Sequence, residues 1–415
     1  MSRTVRFDIS WYSSAPVTIS FGVDDYSMVL AESGPLGPSG LSPLAADLLE
    51  LAAAVAWMER LLPRRSQSPI TLSLRFPVRD PSQWTPHALG ILAQLLSFVG
   101  DARWDVDVVR RTSHRRVPDH DRSTATSDQL MLFSAGLDST SGIAVHEPTS
   151  TRLASFYTRQ KSKQLQIAKA LGHQPPVQWR LERAAGRNPG RSFRYRGFFF
   201  LCIAAATAFS FDCRRIIQAE NGILATGIPP SPAWLMTKHA HPRLHVMAGD
   251  LFSAVFGDRW LVVNPYVTST KRQCIVTAQS ANPLLTAGVL QSTDSCWHLW
   301  ANLVPGANRQ TGRGAKNPGR HCGACIPCLI RRTALRDRDY ALDLSKPTWQ
   351  NHERFGRDFR AYYGFLEQIR ESSLDDFYFV LPAPGRALYS SGLFEATALY
   401  DLFRTFADEF RDVFG

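Results

Sequence analysis

The chain has 415 residues, of which 44% are apolar and 20% charged, with a formal net charge of +11. That length suits two or three domains, and the composition excludes a largely disordered chain. No run of about 18 uncharged apolar residues predicts a membrane-spanning helix, and Arg3, Arg6 and Asp8 stand where a signal peptide needs an apolar core, so a cytoplasmic location is expected.

Residues 1–112 read as an accessory α+β domain. Val5, Phe7, Ile9 and Trp11 alternate with polar neighbours as a half-buried strand does, and residues 17–23 are the expected hairpin partner. Ser42-Pro43 and Thr85-Pro86 each combine a capping hydroxyl with proline at the first helical position, predicting helices over 44–62 and from Pro86 to Gly100. Residues 70–76 and 104–108 alternate as two further strands. The ββαβαβ order contains no cluster of catalytic residue types. Residues 113–128 follow as a basic linker.

From residue 129 the pattern changes. Strands are expected at 130–133, 153–157 and 216–219, and helices after a turn at 134–140, over 161–171 and over 198–211. Strands alternating with helices predict an α/β fold with a doubly wound parallel sheet at 129–340. Residues 341–415 read as a helical C-terminal extension whose last helix covers about 393–413.

Ser134-Ala135-Gly136-Leu137-Asp138-Ser139-Thr140 leaves the first α/β strand and opens a helix. Small residues let backbone N–H groups approach phosphate oxygens, and a helix N-terminus adds a positive dipole end. The three hydroxyls can donate further hydrogen bonds. Asp138 could orient Mg²⁺ or cap the turn. The Gly-Lys-Ser/Thr ending of a Walker loop is missing.

Seven cysteines, an odd number, argue against a disulfide framework. Cys322, Cys325 and Cys328 stand at C-x2-C-x2-C spacing, and a structural zinc site needs four ligands. Cys296, separated from Cys322 by 25 residues, is the nearest fourth. An iron–sulfur cluster uses similar spacing, so spacing alone leaves both open. Cys202, Cys213 and Cys274 sit in apolar surroundings and read as core residues. Arginine supplies 40 of the 47 basic residues, which suits an anionic partner and also follows from GC-rich coding.

Phe133-Ser134-Ala135-Gly136-Leu137-Asp138-Ser139-Thr140 resembles the pyrophosphate loop of the N-type ATP pyrophosphatases, with Ala135 standing where their motif has glycine. His321-Cys322-Gly323-Ala324-Cys325-Ile326-Pro327-Cys328, followed by Arg331-Arg332 and preceded by Ser295-Cys296, resembles the zinc motif of the 7-cyano-7-deazaguanine synthases, the QueC family. Phe156 to Gln160, Arg194 to Phe198, and Asn264-Pro265 with Lys271 resemble further segments of that family, whereas Glu220-Asn221-Gly222 replaces its usual Thr-Gly turn. A Gly-rich basic stretch, 301–320, lengthens the loop between the first two cysteines.

The resemblance implies ATP held at 133–140 with Mg²⁺, zinc on Cys296, Cys322, Cys325 and Cys328, and roles for Asp138, Arg196 and Lys271 in adenylating a carboxylate. The N-terminal addition makes the chain most like QueC-like proteins of the Qat and type IV CBASS antiphage systems. That likeness implies a 7-carboxy-7-deazaguanine-type substrate, an amide product and a partner protein from the same operon. The alternatives are a housekeeping 7-cyano-7-deazaguanine synthase, a catalytically dead binding protein and a tRNA-modifying enzyme. The last would bind nucleic acid through the basic 103–122 or 306–320 segments, and ranks lower.

Overall fold

The computed structural model describes residues 4–11, 17–22, 26–30, 34–59, 70–100, 102–111, 122–156, 160–183, 194–230, 237–296, 321–337, 340 and 353–415. Residues 113–121 of the linker expected at 113–128, the segment 157–159 and the basic loop 301–320 lie outside the described residues. The chain divides into two compact units. The first comprises residues 1–134, 146–219 and 237–265, and the second residues 135–145, 220–236 and 266–415.

The first unit contains two sheets. One has the order β2-β1-β4-β5, formed by β2 (Val17–Gly22), β1 (Thr4–Trp11), β4 (Ile70–Val78) and β5 (Arg103–Arg110). Strand β1 runs antiparallel to both neighbours, and β4 runs parallel to β5. Helix α1 (Pro43–Glu59) starts where Ser42 Oγ accepts from the Ala45 N–H at 3.1 Å, and α2 (Pro86–Gly100) where Thr85 Oγ1 accepts from the Ala88 N–H at 3.3 Å. Both are the cap-plus-proline starts expected from the sequence.

The other sheet has the order β10-β9-β6-β7-β8-β3. Five of its strands are mutually parallel: β10 (Leu261–Val263), β9 (Arg215–Ile217), β6 (Gln129–Leu132), β7 (Thr151–Phe156) and β8 (Val177–Arg183). The sixth, β3 (Tyr26–Leu30), pairs antiparallel with β8. The sequence reading assigned residues 1–112 to a self-contained domain and overlooked this strand. A five-residue edge strand carries too little alternation to stand out, and its place is set by pairing with β8, far along the chain. Apolar helix α5 (Arg196–Ser210) is buried on nearly every side, as an all-round apolar helix must be. It shares one core with α1, α2 and α7 (Pro242–Phe256). The described residues of this unit also include α4 (Lys161–Ala170) and a short 3-10 helix at Pro81–Gln83.

The second unit begins with α3 (Leu137–Ala144) and α6 (Gly222–Ala225), and continues with α8 (Lys271–Ala281), α9 (Ala287–Ser292) and α10 (Ile326–Leu335). The C-terminal helices α11 (Glu353–Glu371), α12 (Leu374–Val380), α13 (Ala383–Tyr389) and α14 (Ala396–Phe414) follow. Their apolar faces form a core that includes Ile223, Ile326, Leu329 and Ile330, so the helical extension shares its core with residues expected in the α/β domain. No described helix is long and apolar enough to cross a membrane.

Candidate functional site

The turn that leaves β6 takes up a strained backbone. Ala135 is fully buried with φ +59°, a left-handed conformation that costs a Cβ-bearing residue about 1–2 kcal/mol. The Asp294 N–H holds it there by donating to the Ala135 carbonyl at 3.0 Å. Gly136 then caps α3 without a side-chain hydrogen bond, Ser139 Oγ donates to the Gly136 carbonyl at 3.1 Å, and the Thr140 N–H donates to the same carbonyl at 2.9 Å. The first turn of a helix leaves N–H groups without intrahelical acceptors, and these follow directly on the turn. Phe133 is buried, and its N–H donates to the Ala154 carbonyl at 2.8 Å within the first unit. Ser134 is exposed and Leu137 buried.

Asp138 is the centre of the polar cluster in the second unit. Its Oδ2 accepts from Lys271 Nζ at 2.5 Å and from Asn221 Nδ2 at 3.0 Å, while its buried Oδ1 has no hydrogen-bond partner. Asn221 Nδ2 also donates to Glu220 Oε1 at 3.1 Å, and Asn221 Oδ1 caps α6 by accepting from the Leu224 N–H at 3.3 Å. Burial pushes the Asp138 carboxyl up to about 7; Lys271 opposes that shift and Glu220 adds to it. Lys271 opens α8, where Thr270 and Gln273 form a capping box. Tyr266 O–H donates to the Ser141 carbonyl at 3.1 Å, tying the chain before α8 to α3. Burial raises the thiol of Cys274, one turn beyond Lys271, and the Asp138 charge adds to this.

The structure therefore brings Asp138 and Lys271 together. Arg196 is placed at the start of α5, in the first unit. Two backbone N–H groups just before it, those of Arg194 and Tyr195, donate to the Glu59 carboxylate. The sequence reading gave Glu220 and Asn221 no role, although it noted their segment as a departure. Asn221 is the second ligand of Asp138, and only its proximity in space reveals it.

Cys296, Cys322, Cys325 and Cys328 form a second, mostly buried cluster whose sulfurs all lie within 4.8 Å of one another. The Sγ atoms of Cys296 and Cys325 are 3.9 Å apart, and those of Cys322 and Cys328 3.7 Å. A disulfide needs about 2.05 Å, so these are separate thiols. Four sulfurs at about 2.3 Å around one tetrahedral ion lie roughly 3.8 Å apart, and the observed spacings match that edge. Thiolates on different irons of a cluster lie farther apart, so the donor set fits one metal ion such as zinc.

Backbone groups support the sulfurs. The Ala324 and Cys325 N–H groups donate to Cys322 Sγ at 3.4 and 3.3 Å, and the Cys322 N–H donates to Cys296 Sγ at 3.3 Å. Gly323, at φ +84°, has no room for a Cβ, which would meet Arg332 Nη2 at 2.7 Å. Arg332 lies over the Tyr340 ring at 4.0 Å. Arg331 is buried and donates to Thr293 Oγ1 at 2.7 Å and to the Leu290 carbonyl at 3.0 Å. The segment 293–296 is thus tied to α10 at one end and donates to Ala135 from its middle.

Comparison with known protein families, with curated proteins and with solved structures finds no match to this chain.

Proposed function

We propose that the protein is an ATP-dependent carbon–nitrogen ligase of QueC-like type, with a PP-loop nucleotide fold. It adenylates a 7-carboxy-7-deazaguanine-type carboxylate and passes the acyl group to an amine, in an antiphage system an amine of a partner protein. The observation that carries this reading is the strand order. Among the parallel strands the order reverses between β6 and β9, and open α/β sheets take ligands outside the carboxyl ends of strands at such a reversal. The small-residue turn 133–140 leaves β6 at its carboxyl end, and Glu220-Asn221 leave β9. The four-cysteine cluster supports the reading independently.

In this mechanism a carboxylate oxygen of the substrate attacks the α-phosphorus of ATP. The bond from that phosphorus to the bridging oxygen breaks, and pyrophosphate leaves with the electron pair. Backbone N–H groups of the turn and of the first turn of α3 hold the phosphates and stabilise the developing charge. Lys271 and Asn221 fix the Asp138 carboxylate through Oδ2, and Asp138, whose buried Oδ1 has no hydrogen-bond partner, is the residue that would hold Mg²⁺. Mg²⁺ supplies charge neutralisation at the phosphates. An amine nitrogen then attacks the acyl carbon, AMP leaves, and the amine proton passes to water. Zinc on four thiolates has no open position, so Cys296, Cys322, Cys325 and Cys328 serve to hold their segments in place.

The test is ATP–pyrophosphate exchange with 7-carboxy-7-deazaguanine present or absent, together with intact mass spectrometry of co-expressed neighbouring proteins. Substrate-dependent exchange and a deazaguanine-sized mass shift, both lost in Asp138→Ala, are expected. A mass shift that survives the substitution overturns the mechanism. Free nitrile base formed from ammonia at a normal enzymatic rate identifies a synthase instead.

A further inference from the structure

Asp138 is held by two residues, Asn221 and Lys271, and each of these is backed by the same distant element. The Thr270 hydroxyl, at the cap of the helix that Lys271 opens, donates to Glu409 Oε1 at 2.9 Å. Gly222, the residue after Asn221, packs so closely on Leu402 that a Cβ there would meet Leu402 Cδ2 at 2.6 Å. Glu409 and Leu402 both belong to α14. They stand seven residues apart, two helical turns, and so share one face.

We infer that α14 is a positioning element for the Asp138 site. Glu409 sets the start of α8 and Leu402 sets the start of α6, so the C-terminal helix fixes both hydrogen-bond donors to Asp138. The helix is well placed to act as a rigid support. Leu399, Phe403, Phe406 and Phe410 bury the rest of its apolar face in the core of the second unit, and Tyr400 O–H donates to the Ser372 carbonyl at 3.0 Å. Thr270 and Lys271 are themselves almost fully buried, so a lost contact at Glu409 is not replaced by water. Glu409 Oε2 has no hydrogen-bond partner, so Oε1 is the atom through which this carboxyl acts on the cap. No residue of α14 needs to touch a substrate for this to matter, because a catalytic group displaced by a fraction of an ångström loses much of its effect.

The activity readout of this inference rests on the proposed ligase function; a second readout does not. Glu409→Leu removes the acceptor, and Glu409→Gln retains an oxygen at the same place. In the full-length protein, Glu409→Leu is expected to lower kcat for ATP–pyrophosphate exchange about tenfold with KM for ATP nearly unchanged, and Glu409→Gln to restore it. Hydrogen–deuterium exchange is expected to rise at 270–275 in Glu409→Leu while β6 and α1 stay protected. Leu402→Val, which trims one methylene, is expected to raise exchange at 221–226. If Glu409→Leu leaves both kcat and exchange at 270–275 unchanged, or if Glu409→Gln fails as badly as Glu409→Leu, the inference falls. A wild-type protein without ATP–pyrophosphate exchange refutes the ligase reading alone, and protection at 270–275 then decides the role of α14.

Discussion

Lys271 Nζ sits 2.5 Å from Asp138 Oδ2, although the two residues are 133 positions apart in the chain. Both are nearly fully buried, so each charge depends on the other. Removing one partner strands a buried charge, which costs about 3–5 kcal/mol, whereas replacing both with apolar or neutral groups is far milder. Lys271→Met and Asp138→Asn should each lower the denaturation midpoint sharply, and the double variant should recover much of the loss. Urea denaturation of the four proteins gives the coupling energy. Strictly additive losses would show that the pair contributes nothing as a pair.

Ala135 occupies a left-handed backbone position that favours glycine. Replacing it with glycine removes a strain of about 1–2 kcal/mol at some cost in unfolded-chain entropy, so Ala135→Gly should stabilise the protein by about 1 kcal/mol. Ala135→Val should do the opposite, because branching at Cβ worsens the same clash. Differential scanning calorimetry of the two variants tests the sign. If the glycine variant melts below the wild type, the strain assigned to this turn is not there.

The four-cysteine cluster should bind one metal ion per chain. Elemental analysis is expected to find one zinc, and cobalt substitution should give the absorption of a tetrahedral thiolate site. Because segment 293–296 carries both Cys296 and the N–H that holds the Ala135 carbonyl, metal removal should loosen the 134–140 turn as well. Chelation should therefore raise hydrogen exchange at Asp294. Unchanged exchange there after complete metal loss would uncouple the two.

What could be seen in the sequence was local. The 134–140 turn shows as a run of small residues between strand and helix, and three of the four clustered cysteines lie within seven residues. Helices α1 and α2 announce themselves through Ser42-Pro43 and Thr85-Pro86, since capping is decided within one turn. What escaped depends on partners distant in sequence. Strand β3 is placed by β8, Asn221 is recruited by Asp138, and Glu409 reaches Thr270 across 139 positions. No composition or periodicity encodes such pairings.

One buried network in the first unit makes a prediction about pH. Asp47 accepts from the Arg79 backbone N–H at 2.8 Å and pairs with its guanidinium, and Arg79 also binds Glu50 Oε1 at 2.7 Å. Glu50 in turn accepts from Arg111 at 2.8 Å. Burial pushes the Asp47 carboxyl up to about 6 against the pull of Arg79, whose charge is shared with Glu50. An acid whose folded pKa lies above its unfolded value, about 3.9, binds more protons in the folded state between the two. Its contribution to stability therefore declines as pH rises from about 4 to about 6, by roughly 3 kcal/mol in total. Asp47→Asn mimics the protonated form and escapes that decline. The stability of Asp47→Asn relative to wild type should thus climb between pH 4 and 7, read as the difference in urea midpoints at each pH. A difference that stays flat across that window would mean that Asp47 ionises as freely in the folded protein as in the unfolded chain.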